Sequence, residues 1–456
     1  MKKVKSILFV TCIFITIIAV TGCNSKAKDE TANIPASVIP SLPIATSAPE
    51  ATPTQEATLA PVATATPEPT PTMSPAELYQ EAIEKSLLET GNNYRLKRVL
   101  EKARAGEDIY VCALGGSVTE GALAKTNDDG YAYLFAKEFK SNYCPGDGSN
   151  FHFVNAGLSG TPSCLGIMRY QKDVVGLLGA DPDILIIEFA INDYNEPTKG
   201  RAYESLIRKA LEANDECAVI LLYSIAKSGW NMQDNYIKVG KYYGVQQVSI
   251  KNALYKTSKK MRVAESTYFA DDYHPTTYGH KLMKECMMNL IRVVDEEETD
   301  PFTDVPEEDY MGSDFKDLVM VDCNTSSNGT LSIDPGSFSD KDGAVVNMYF
   351  TKAASFPDNF CHKAGSDNKP FKMTVNCKNI LINYKTSSSN DFGKADFFVD
   401  GELVATADGH SSGGWNNCNV ILLLKQDTAS EHVLEVKMAE GSEAKAFTIF
   451  SIGYSE

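Results

Sequence analysis

Short, continuously apolar segments alternate with helical patterns between residues 75 and 292, and this alternation restricts the possible fold more than any other feature. The apolar segments are 109–114, 151–154, 184–187 and 218–222, and the helical patterns include 78–88, 94–105, 131–139 and 277–293. Strands that are apolar throughout are buried on both faces, and strands joined by helices run parallel. The sequence therefore predicts an α/β domain at 74–293, with a ligand site at the carboxyl ends of its parallel strands.

The pattern changes after residue 293. Residues 294–315 are acidic, contain Pro301 and Pro306, and are interpreted as a linker that does not pack. Beyond them, Asn, Asp, Gly and Ser clusters separate short strand candidates at 318–322, 346–351, 380–385, 395–399, 420–424, 432–437 and 447–452. Such a series is typical of an antiparallel β-sandwich. Residues 316–456 are therefore predicted to form a smaller, jelly-roll-like all-β domain.

The first 22 residues have the features of a bacterial secretion signal. Lysines at the start precede an apolar run from residue 7 to residue 20, which is shorter than the roughly 20 residues that a membrane-spanning helix needs. The run ends in Val20-Thr21-Gly22-Cys23, which resembles a lipobox. The motif predicts that Cys23 is lipidated and holds the chain at the extracellular face of the bacterial cell membrane. An ordinary signal peptide with an unrelated cysteine is the alternative.

Residues 23–73 are predicted to form a linker in the shape of a stalk. Ten of the twenty prolines fall between residues 31 and 75, where threonine and alanine fill most gaps and aromatic residues are absent. Such a composition buries too little apolar surface to offset the entropy of ordering, and its prolines favour an extended chain. The folded part is expected to begin at Ser74-Pro75, a helix N-cap followed by proline.

Four short motifs at the ends of predicted strands carry candidate chemistry. Ser117 follows the first strand after two glycines, which can expose its hydroxyl and its backbone N–H. Asp271 precedes His274 by three residues, a spacing that lets the carboxylate orient the imidazole. Gly160 follows the second strand and Asn192 the third, and a glycine N–H and an asparagine amide can both stabilise an oxyanion. Each motif alone is also compatible with an ordinary turn or loop.

Together and in this order, the four motifs resemble the four sequence blocks of the SGNH hydrolases, also called the GDSL esterase/lipase family. The resemblance covers about residues 108–292 and implies a flavodoxin-like parallel sheet sandwiched by helices. It implies that Ser117 is the nucleophile of an acyl transfer, His274 its base and Asp271 the acid that orients the histidine. It also implies an oxyanion hole formed by the Ser117 N–H, Gly160 and Asn192.

Two positions depart from the family pattern. Gly116 stands where the family usually has aspartate, and Ala190 where it usually has glycine. Neither change removes a catalytic atom, although the first can alter how the nucleophile turn is braced. The sequence has no zinc-ligand spacing and no phosphate-binding loop, so neither a metal nor another cofactor is expected. The formal net charge of −17 argues against a nucleic-acid partner.

The expected substrate follows from context. A secreted, anchored esterase with a second β-domain resembles carbohydrate esterases, so we expect it to remove acetyl groups from a glycan. A lipid or aryl-ester hydrolase and a non-catalytic glycan-binding lipoprotein are the alternatives. Trp230 and Trp415 are the candidate sugar-binding residues. The sequence favours a core position for Trp415, whereas a pocket mouth and a core position are about equally compatible with Trp230.

The sequence also predicts the environments of one histidine and of several cysteines. His280 is expected on the surface of the last helix. Cys112, Cys217 and Cys286 are expected to be packed thiols. The cysteines of the β-domain could pair, with their connectivity left open; these are Cys323, Cys361, Cys377 and Cys418.

Overall fold

A computed structural model describes residues 73–257 and 260–456, and in it the α/β domain is built on one six-stranded sheet. The strands are β1 (Leu87–Glu89), β2 (Ile109–Gly115), β3 (Phe151–Gly157), β4 (Ile184–Glu188), β5 (Ala218–Tyr223) and β6 (Gln246–Ser249), followed by a small hairpin of β7 (Tyr255–Thr257) and β8 (Lys260–Met261). The sheet order is β1-β6-β5-β4-β2-β3, with β2 to β6 parallel and β1 antiparallel at one edge. The predicted signal, Cys23 and nearly all of the predicted stalk lie outside the described residues.

Helices cover both faces of this sheet. They are α1 (Pro75–Ser86), α2 (Tyr94–Ala105), α3 (Ser117–Glu120), α4 (Tyr131–Tyr143), α5 (Ser163–Met168), α6 (Gly176–Leu178), α7 (Arg201–Ala213), α8 (Gln233–Tyr242), α9 (Ile250–Leu254), α10 (Glu265–Tyr268) and α11 (Thr277–Glu296), with a π-helical turn at Gln171–Val175 and a 3-10 turn at Asn127–Asp129. Successive strand residues point to opposite faces, so Val111 packs with α2, α4 and α11 while Cys112 packs with α5 and α7. The predicted α/β fold is confirmed. None of the described helices is long and apolar enough to span a membrane.

Strand β6 has no apolar signal in the sequence, and the predicted pattern did not include it. Its Gln246 and Gln247 are buried, because each side chain has a hydrogen-bond partner inside the domain. The Tyr223 hydroxyl donates to Gln247 Oε1 at 2.7 Å, and Gln246 Nε2 donates to the Thr90 carbonyl at 2.9 Å. Satisfied polar groups can be buried at little cost, so a central strand need not be apolar.

The acidic segment after α11 packs on the α/β domain, so its interpretation as an unpacked linker is wrong. Helix α11 continues to Glu296, and Phe315 near the other end of the segment is fully buried. Between them, the buried carboxylate of Glu204 on α7 accepts three backbone N–H bonds from residues 310–312, at 2.5–2.9 Å. Charge-assisted bonds of this kind, together with the buried Phe315 side chain, hold the irregular segment on the α/β domain.

The second domain is an eight-stranded antiparallel sheet, which confirms the all-β prediction. Its strands are β9 (Val319–Val321), β10 (Leu331–Asp334), β11 (Phe360–His362), β12 (Phe371–Ser387), β13 (Lys394–Val399), β14 (Glu402–Asp408), β15 (Trp415–Met438) and β16 (Phe447–Ser455). The order is β11-β16-β12-β15-β13-β14, with β10 also on β12 and β9 also on β16. The long strands β12 and β15 shift register between Cys377 and Asn379, where β12 exchanges β10 for β16 as its neighbour.

Two strand predictions in this domain are wrong. Residues 346–351 form no strand, because residues 349–351 turn the chain back and the backbone of Val346 and Met348 pairs locally with Ser355 and Ala353, just after the turn. The candidates at 420–424 and 432–437 are both parts of the single strand β15. The polar residues between them resemble a turn in the sequence; Lys425, Ser430 and Glu431 still pair with β12, and residues 426–429 fall at the register shift without a paired residue on that strand.

The two domains share a hydrophobic core. Leu165 and Met168 of α5 belong to the same buried cluster as Leu381, Cys418 and Phe450 of the β-domain. Residues 73–456 accordingly form one compact unit. Cys112, Cys217 and Cys286 are buried thiols as expected, and none of the nine cysteines in the described ranges is in a disulfide, including the four of the β-domain.

Candidate active site

Ser117, His274 and Asp271 form a hydrogen-bonded chain at the carboxyl edge of the sheet. Ser117 opens α3 directly after β2, and its Oγ lies 2.8 Å from Nε2 of His274. Nδ1 of His274 lies 2.8 Å from Oδ2 of Asp271. The other oxygen of Asp271 accepts the backbone N–H groups of Tyr273 at 2.8 Å and of His274 at 2.7 Å. The structure therefore brings together the three side chains that the sequence pointed to.

The Asp271 carboxylate is held in its ionised form. Partial burial raises its pKa, but the hydrogen bonds from the His274 ring and from two backbone N–H groups outweigh burial and lower the pKa below its ordinary value. An ionised Asp271 accepts a hydrogen bond from Nδ1 of His274. Nε2 is then left as the acceptor that faces Ser117, which is the tautomer that a general base needs.

The two oxyanion candidates flank the serine. A Cβ built on Gly116 would lie 2.2 Å from Oδ1 of Asn192, so the Asn192 amide rests directly against the residue before Ser117. On the other side, the Leu158 N–H donates to the Gly115 carbonyl at 3.1 Å and ties the loop that carries Gly160 to the end of β2. Both groups thus border the nucleophile turn.

The same contact accounts for the departure at position 116. Any side chain there would occupy the place of the Asn192 amide, because even a methyl group would overlap it. Glycine at 116 therefore lets the amide approach the turn closely. At the second departure, Ala190 is buried, and its carbonyl accepts the Met232 N–H at 2.9 Å.

Glu120 and Arg169 brace the nucleophile turn, and neither is among the site residues predicted from the sequence. Glu120, at the end of α3, accepts the Ser159 N–H at 3.1 Å and also the Ser159 hydroxyl. Arg169 is fully buried and donates to the Gly115 carbonyl at 3.1 Å. Glu120 could have been found from its place one helical turn after the serine. Arg169 has no sequence signal, because its role depends on packing.

Two buried acids lie beneath the site. Glu188, the last residue of β4, accepts hydrogen bonds from Thr119 at 3.0 Å and from the Ser224 hydroxyl. Asp193 accepts a hydrogen bond from the Tyr236 hydroxyl at 2.6 Å. Burial raises the pKa of each carboxyl to about 7. Neither acid belongs to a group of three or more His, Cys, Asp or Glu side chains fit to hold a metal, and within the described ranges no such group occurs.

His280 is buried, so the expectation of a surface position is wrong. Its Nδ1 accepts the Tyr131 N–H at 3.3 Å and its Nε2 lies 3.1 Å from the Ala122 carbonyl. The first turns of α11 and α4 pack together here and bury the face of α11 that carries His280. The sequence does not show which helix covers this face. Burial lowers the pKa of His280 to about 4, so its ring is neutral at physiological pH.

Trp415 lies at the active site, which makes the expected core position wrong. Its side chain belongs to the β-domain and is 51% exposed. A ring carbon of Trp415 lies 3.1 Å from the place where a Cβ on Gly160 would be. Gly160 has φ +73°, so a side chain there would be both strained and blocked by the indole. The second domain thus contributes a wall to the oxyanion side of the site.

Trp230 follows β5 and is half-buried. It lines a cleft of about 290 Å³ that also contains Tyr194, Asn195, Lys199 and Asn235. The rings of Tyr194 and Trp230 are nearly perpendicular, with centroids 5.2 Å apart. Trp230 therefore lies at the mouth of a pocket and not in the core.

Residues 113–282 match the model of the GDSL-like lipase/acylhydrolase family. The chain carries a GDSL-like lipase/acylhydrolase domain. The matched range contains Ser117, Gly160, Asn192, Asp271 and His274. The prediction of an ester hydrolase of the GDSL type is confirmed at the level of this family.

Solved structures similar to this chain extend over both domains. Two structures of a two-domain esterase (CEX) active on acetylated mannans, one of them co-crystallised with mannopentaose, superpose with TM-scores of 0.69 and 0.68. Each is 23% identical and covers 82% of this chain, and the match spans 99% and 98% of those chains. At this identity the likeness shows a shared fold, an α/β domain followed by an all-β domain. No curated protein matches this chain in sequence.

Proposed function

We propose that this protein is a serine esterase that removes acetyl groups from polysaccharides or oligosaccharides. The observation that carries the proposal is the hydrogen-bonded chain from Ser117 through His274 to Asp271 inside the GDSL-like domain. The nucleophile, the base, the orienting acid and the oxyanion donors are all present at one edge of the sheet, which is the set that acyl transfer requires. The similar two-domain esterase is described as active on acetylated mannans, which supports a glycan as the substrate class.

Acylation begins when Ser117 Oγ attacks the ester carbonyl and its proton passes to Nε2 of His274. The carbonyl oxygen becomes an oxyanion, which accepts hydrogen bonds from the N–H groups of Ser117 and Gly160 and from the Asn192 amide. The ester C–O bond then breaks, and the leaving sugar hydroxyl takes the proton from His274. An acetyl-serine and the free sugar hydroxyl result.

Deacylation repeats these steps with water as the nucleophile. His274 Nε2 removes a proton from water, which attacks the acetyl-serine carbonyl, and the same three donors stabilise the second oxyanion. Collapse of this intermediate releases acetate and returns the proton to Ser117. Asp271 stays ionised throughout and stabilises the imidazolium that forms in both halves of the reaction.

The position of Trp415 favours a substrate with a small acyl group. Its ring lies over Gly160, where one side of the substrate carbonyl would sit. An indole at van der Waals distance leaves little room for a long acyl chain in that direction. This favours acetyl esters over the lipid esters of the alternative hydrolase.

The test is acetate release from a panel of acetylated glycans by the unaltered chain and by Ser117→Ala. We expect the Ser117→Ala variant to lose essentially all turnover, because within residues 73–257 and 260–456 Ser117 is the only residue whose hydroxyl lies within hydrogen-bond distance of Nε2 of His274. Ser149→Ala is the matched control, since Ser149 is exposed and remote from the site, and it should keep full activity. Full turnover in Ser117→Ala would refute the site, and a preference for long-chain over acetyl esters would favour the lipid hydrolase.

We also propose that Cys23 is lipidated and holds the enzyme at the extracellular face of the bacterial membrane. The lipobox-like residues before Cys23 and the proline-rich segment after it support this proposal. Mass spectrometry of the mature N-terminus should find a lipid-modified cysteine. The Cys23→Ala variant should leave the membrane fraction, and unchanged membrane association of that variant would contradict the proposal.

A further inference from the structure

We infer that the cleft lined by Tyr194, Trp230, Asn195, Lys199 and Asn235, here called the aromatic cleft, is a sugar subsite of the esterase. It would hold a unit of the glycan chain beyond the one that carries the reacting acetyl group. The inference rests on the proposed function, because it specifies how the same site binds an extended substrate.

The two aromatic side chains expose surface of the kind that binds sugars. Tyr194 is 67% exposed and Trp230 is half-buried, with the two rings at 87° to each other. This arrangement forms an open corner in which one ring can take the apolar C–H face of a pyranose while the other borders its edge. The volume of about 290 Å³ is close to the lower limit of about 300 Å³ for small-molecule sites, which suits a single sugar ring.

Polar groups around this corner are free to bind hydroxyls. In residues 73–257 and 260–456, the side chains of Tyr194, Asn195, Lys199, Trp230 and Asn235 form no hydrogen bond or ion pair. They offer a phenol, two amides, an ammonium and an indole N–H around one cleft. A surface that combines aromatic faces with unpaired donors and acceptors matches the alternating C–H and hydroxyl groups of a sugar.

The cleft is held in place from below. Glu196 is buried, and its carboxylate accepts the N–H groups of Thr198 at 2.8 Å and Gly200 at 3.0 Å. Asn195 and Lys199 have φ of +58° and +56°, a region that non-glycine residues rarely adopt. A loop that is fixed by a buried carboxylate and holds two strained residues is preorganised, and such strain is commonly found at binding sites.

The loop that carries Trp230 is tied to the catalytic groups at two points. The Lys227 N–H donates to the Asp272 carbonyl at 2.8 Å, next to Asp271. The Met232 N–H donates to the Ala190 carbonyl at 2.9 Å, two residues before Asn192. Trp230 therefore keeps a fixed position relative to the orienting acid and the oxyanion amide.

The strand order sets the direction of the bound chain. Four neighbouring strands of the sheet, in the order β3, β2, β4 and β5, carry these groups at their carboxyl ends. The Gly160 loop under Trp415 follows β3 and Ser117 follows β2, whereas Asn192 follows β4 and the Trp230 loop follows β5. Three strand spacings amount to about 14 Å. This exceeds one sugar ring, so a glycan that reaches from Trp415 past Ser117 to the aromatic cleft must be an oligosaccharide.

The experiment compares acetylated oligosaccharides of increasing length with p-nitrophenyl acetate, which cannot reach the cleft. For each enzyme we take the ratio of kcat/KM on the longest oligosaccharide to kcat/KM on p-nitrophenyl acetate. We expect this ratio to fall about fivefold to tenfold in Trp230→Ala and in Tyr194→Ala. Tyr310→Ala is the matched control, because Tyr310 is an exposed tyrosine of the connecting segment, and its ratio should stay at that of the unaltered chain.

The outcomes separate the subsite from the esterase itself. Ratios unchanged in both variants, or a loss that is equal for the short and the long oligosaccharides, would overturn the subsite while leaving the esterase intact. Absence of acetyl-ester turnover in the unaltered chain would instead overturn the proposed function. Because Tyr194 is mostly exposed, Tyr194→Ala keeps the test decisive even where Trp230→Ala does not fold.

Discussion

At the scale of single residues, Asp271 shows how one carboxylate can organise a histidine. Its two oxygens have separate partners, since one binds the His274 ring and the other binds two backbone N–H groups. The backbone bonds fix the direction of the carboxylate, and the carboxylate in turn fixes the ring. The orientation of His274 is therefore built from residues close to it in sequence, which is why a motif of four residues could predict it.

Asp271→Asn should lower kcat on an acetylated substrate by about 10⁴ with little change in KM. The amide NH2 would face Nδ1 of His274, so the imidazole would adopt the other tautomer and present N–H to Ser117 instead of an acceptor. Steady-state kinetics measure the effect. Asp272→Asn is the matched control, because the neighbouring acid is exposed and outside the hydrogen-bonded chain. A loss in Asp272→Asn equal to that in Asp271→Asn would contradict the assignment.

His280 predicts a specific pH dependence of stability. Its pKa is about 4 in the folded protein and about 6.5 when unfolded, so the unfolded chain binds the extra proton between these values. The stability that the neutral buried ring contributes is complete above pH 6.5 and is lost as the pH falls toward 4.

Relative to His280→Gln, the unaltered chain should therefore lose about 2 kcal/mol of unfolding free energy between pH 7 and pH 5. Urea unfolding of both proteins at the two pH values gives the difference, in which contributions from other groups cancel. Glu188 and Asp193 have raised pKa values and shift stability in the opposite direction, so the difference between the variants is the informative quantity. An equal change in both proteins would contradict the prediction.

At the scale of elements, Glu120 links helix α3 to the loop that carries the oxyanion glycine. The carboxylate accepts two hydrogen bonds from Ser159, the residue before Gly160. Burial raises the pKa of Glu120, while the bonds from Ser159 and from the Tyr349 backbone of the β-domain oppose that rise. One side chain thus connects the nucleophile turn, the oxyanion loop and the second domain.

Glu120→Gln should lower kcat about tenfold to hundredfold and change KM much less. Both Ser159 bonds go to one carboxylate oxygen, and a neutral amide oxygen accepts them more weakly because the charge is lost, so Gly160 is held less firmly at its distance from Ser117. A role in positioning predicts partial recovery in Glu120→Asp, which retains the charge. A rise in KM with normal kcat in Glu120→Gln would instead assign Glu120 to substrate binding.

At the scale of the whole molecule, the shared core makes the two domains one folding unit. Phe450 of β16 is fully buried and packs in the same cluster as the helices of the α/β domain. The acidic connection contributes as well, through the bonds of Glu204 to residues 310–312. Neither domain can leave the other without exposing apolar surface to water.

Calorimetry of residues 73–456 should therefore show one unfolding transition. Phe450→Ala should destabilise the entire unit by about 3–5 kcal/mol, since it leaves a cavity in the shared core. The midpoint of activity loss in urea should move together with the midpoint of the fluorescence change. Two separate transitions, with activity unaffected by Phe450→Ala, would show that the domains fold independently.

The predictable part of this protein was local in sequence. The strands β2, β4 and β5 and the helix α11 follow from apolar runs and helical spacing, and the Asp271–His274 pair follows from its own spacing. Strand β6 could not be predicted, because its buried glutamines form hydrogen bonds with residues that are distant in the sequence. The burial of the acidic connection and of His280 could not be predicted either, because it depends on which other parts of the chain pack against them.

The sequence by itself determined the order of strands and helices along the chain and which side chains can perform acyl transfer. These properties depend on residues a few positions apart. Only the tertiary structure decided that Trp415, 298 residues after Ser117 in the sequence, covers the oxyanion side of the site. It also decided that the Trp230 loop borders the other side and that the two domains share one core. Such contacts depend on complementary surfaces between distant segments, and hydrophobic packing has no sequence period that reveals its partner.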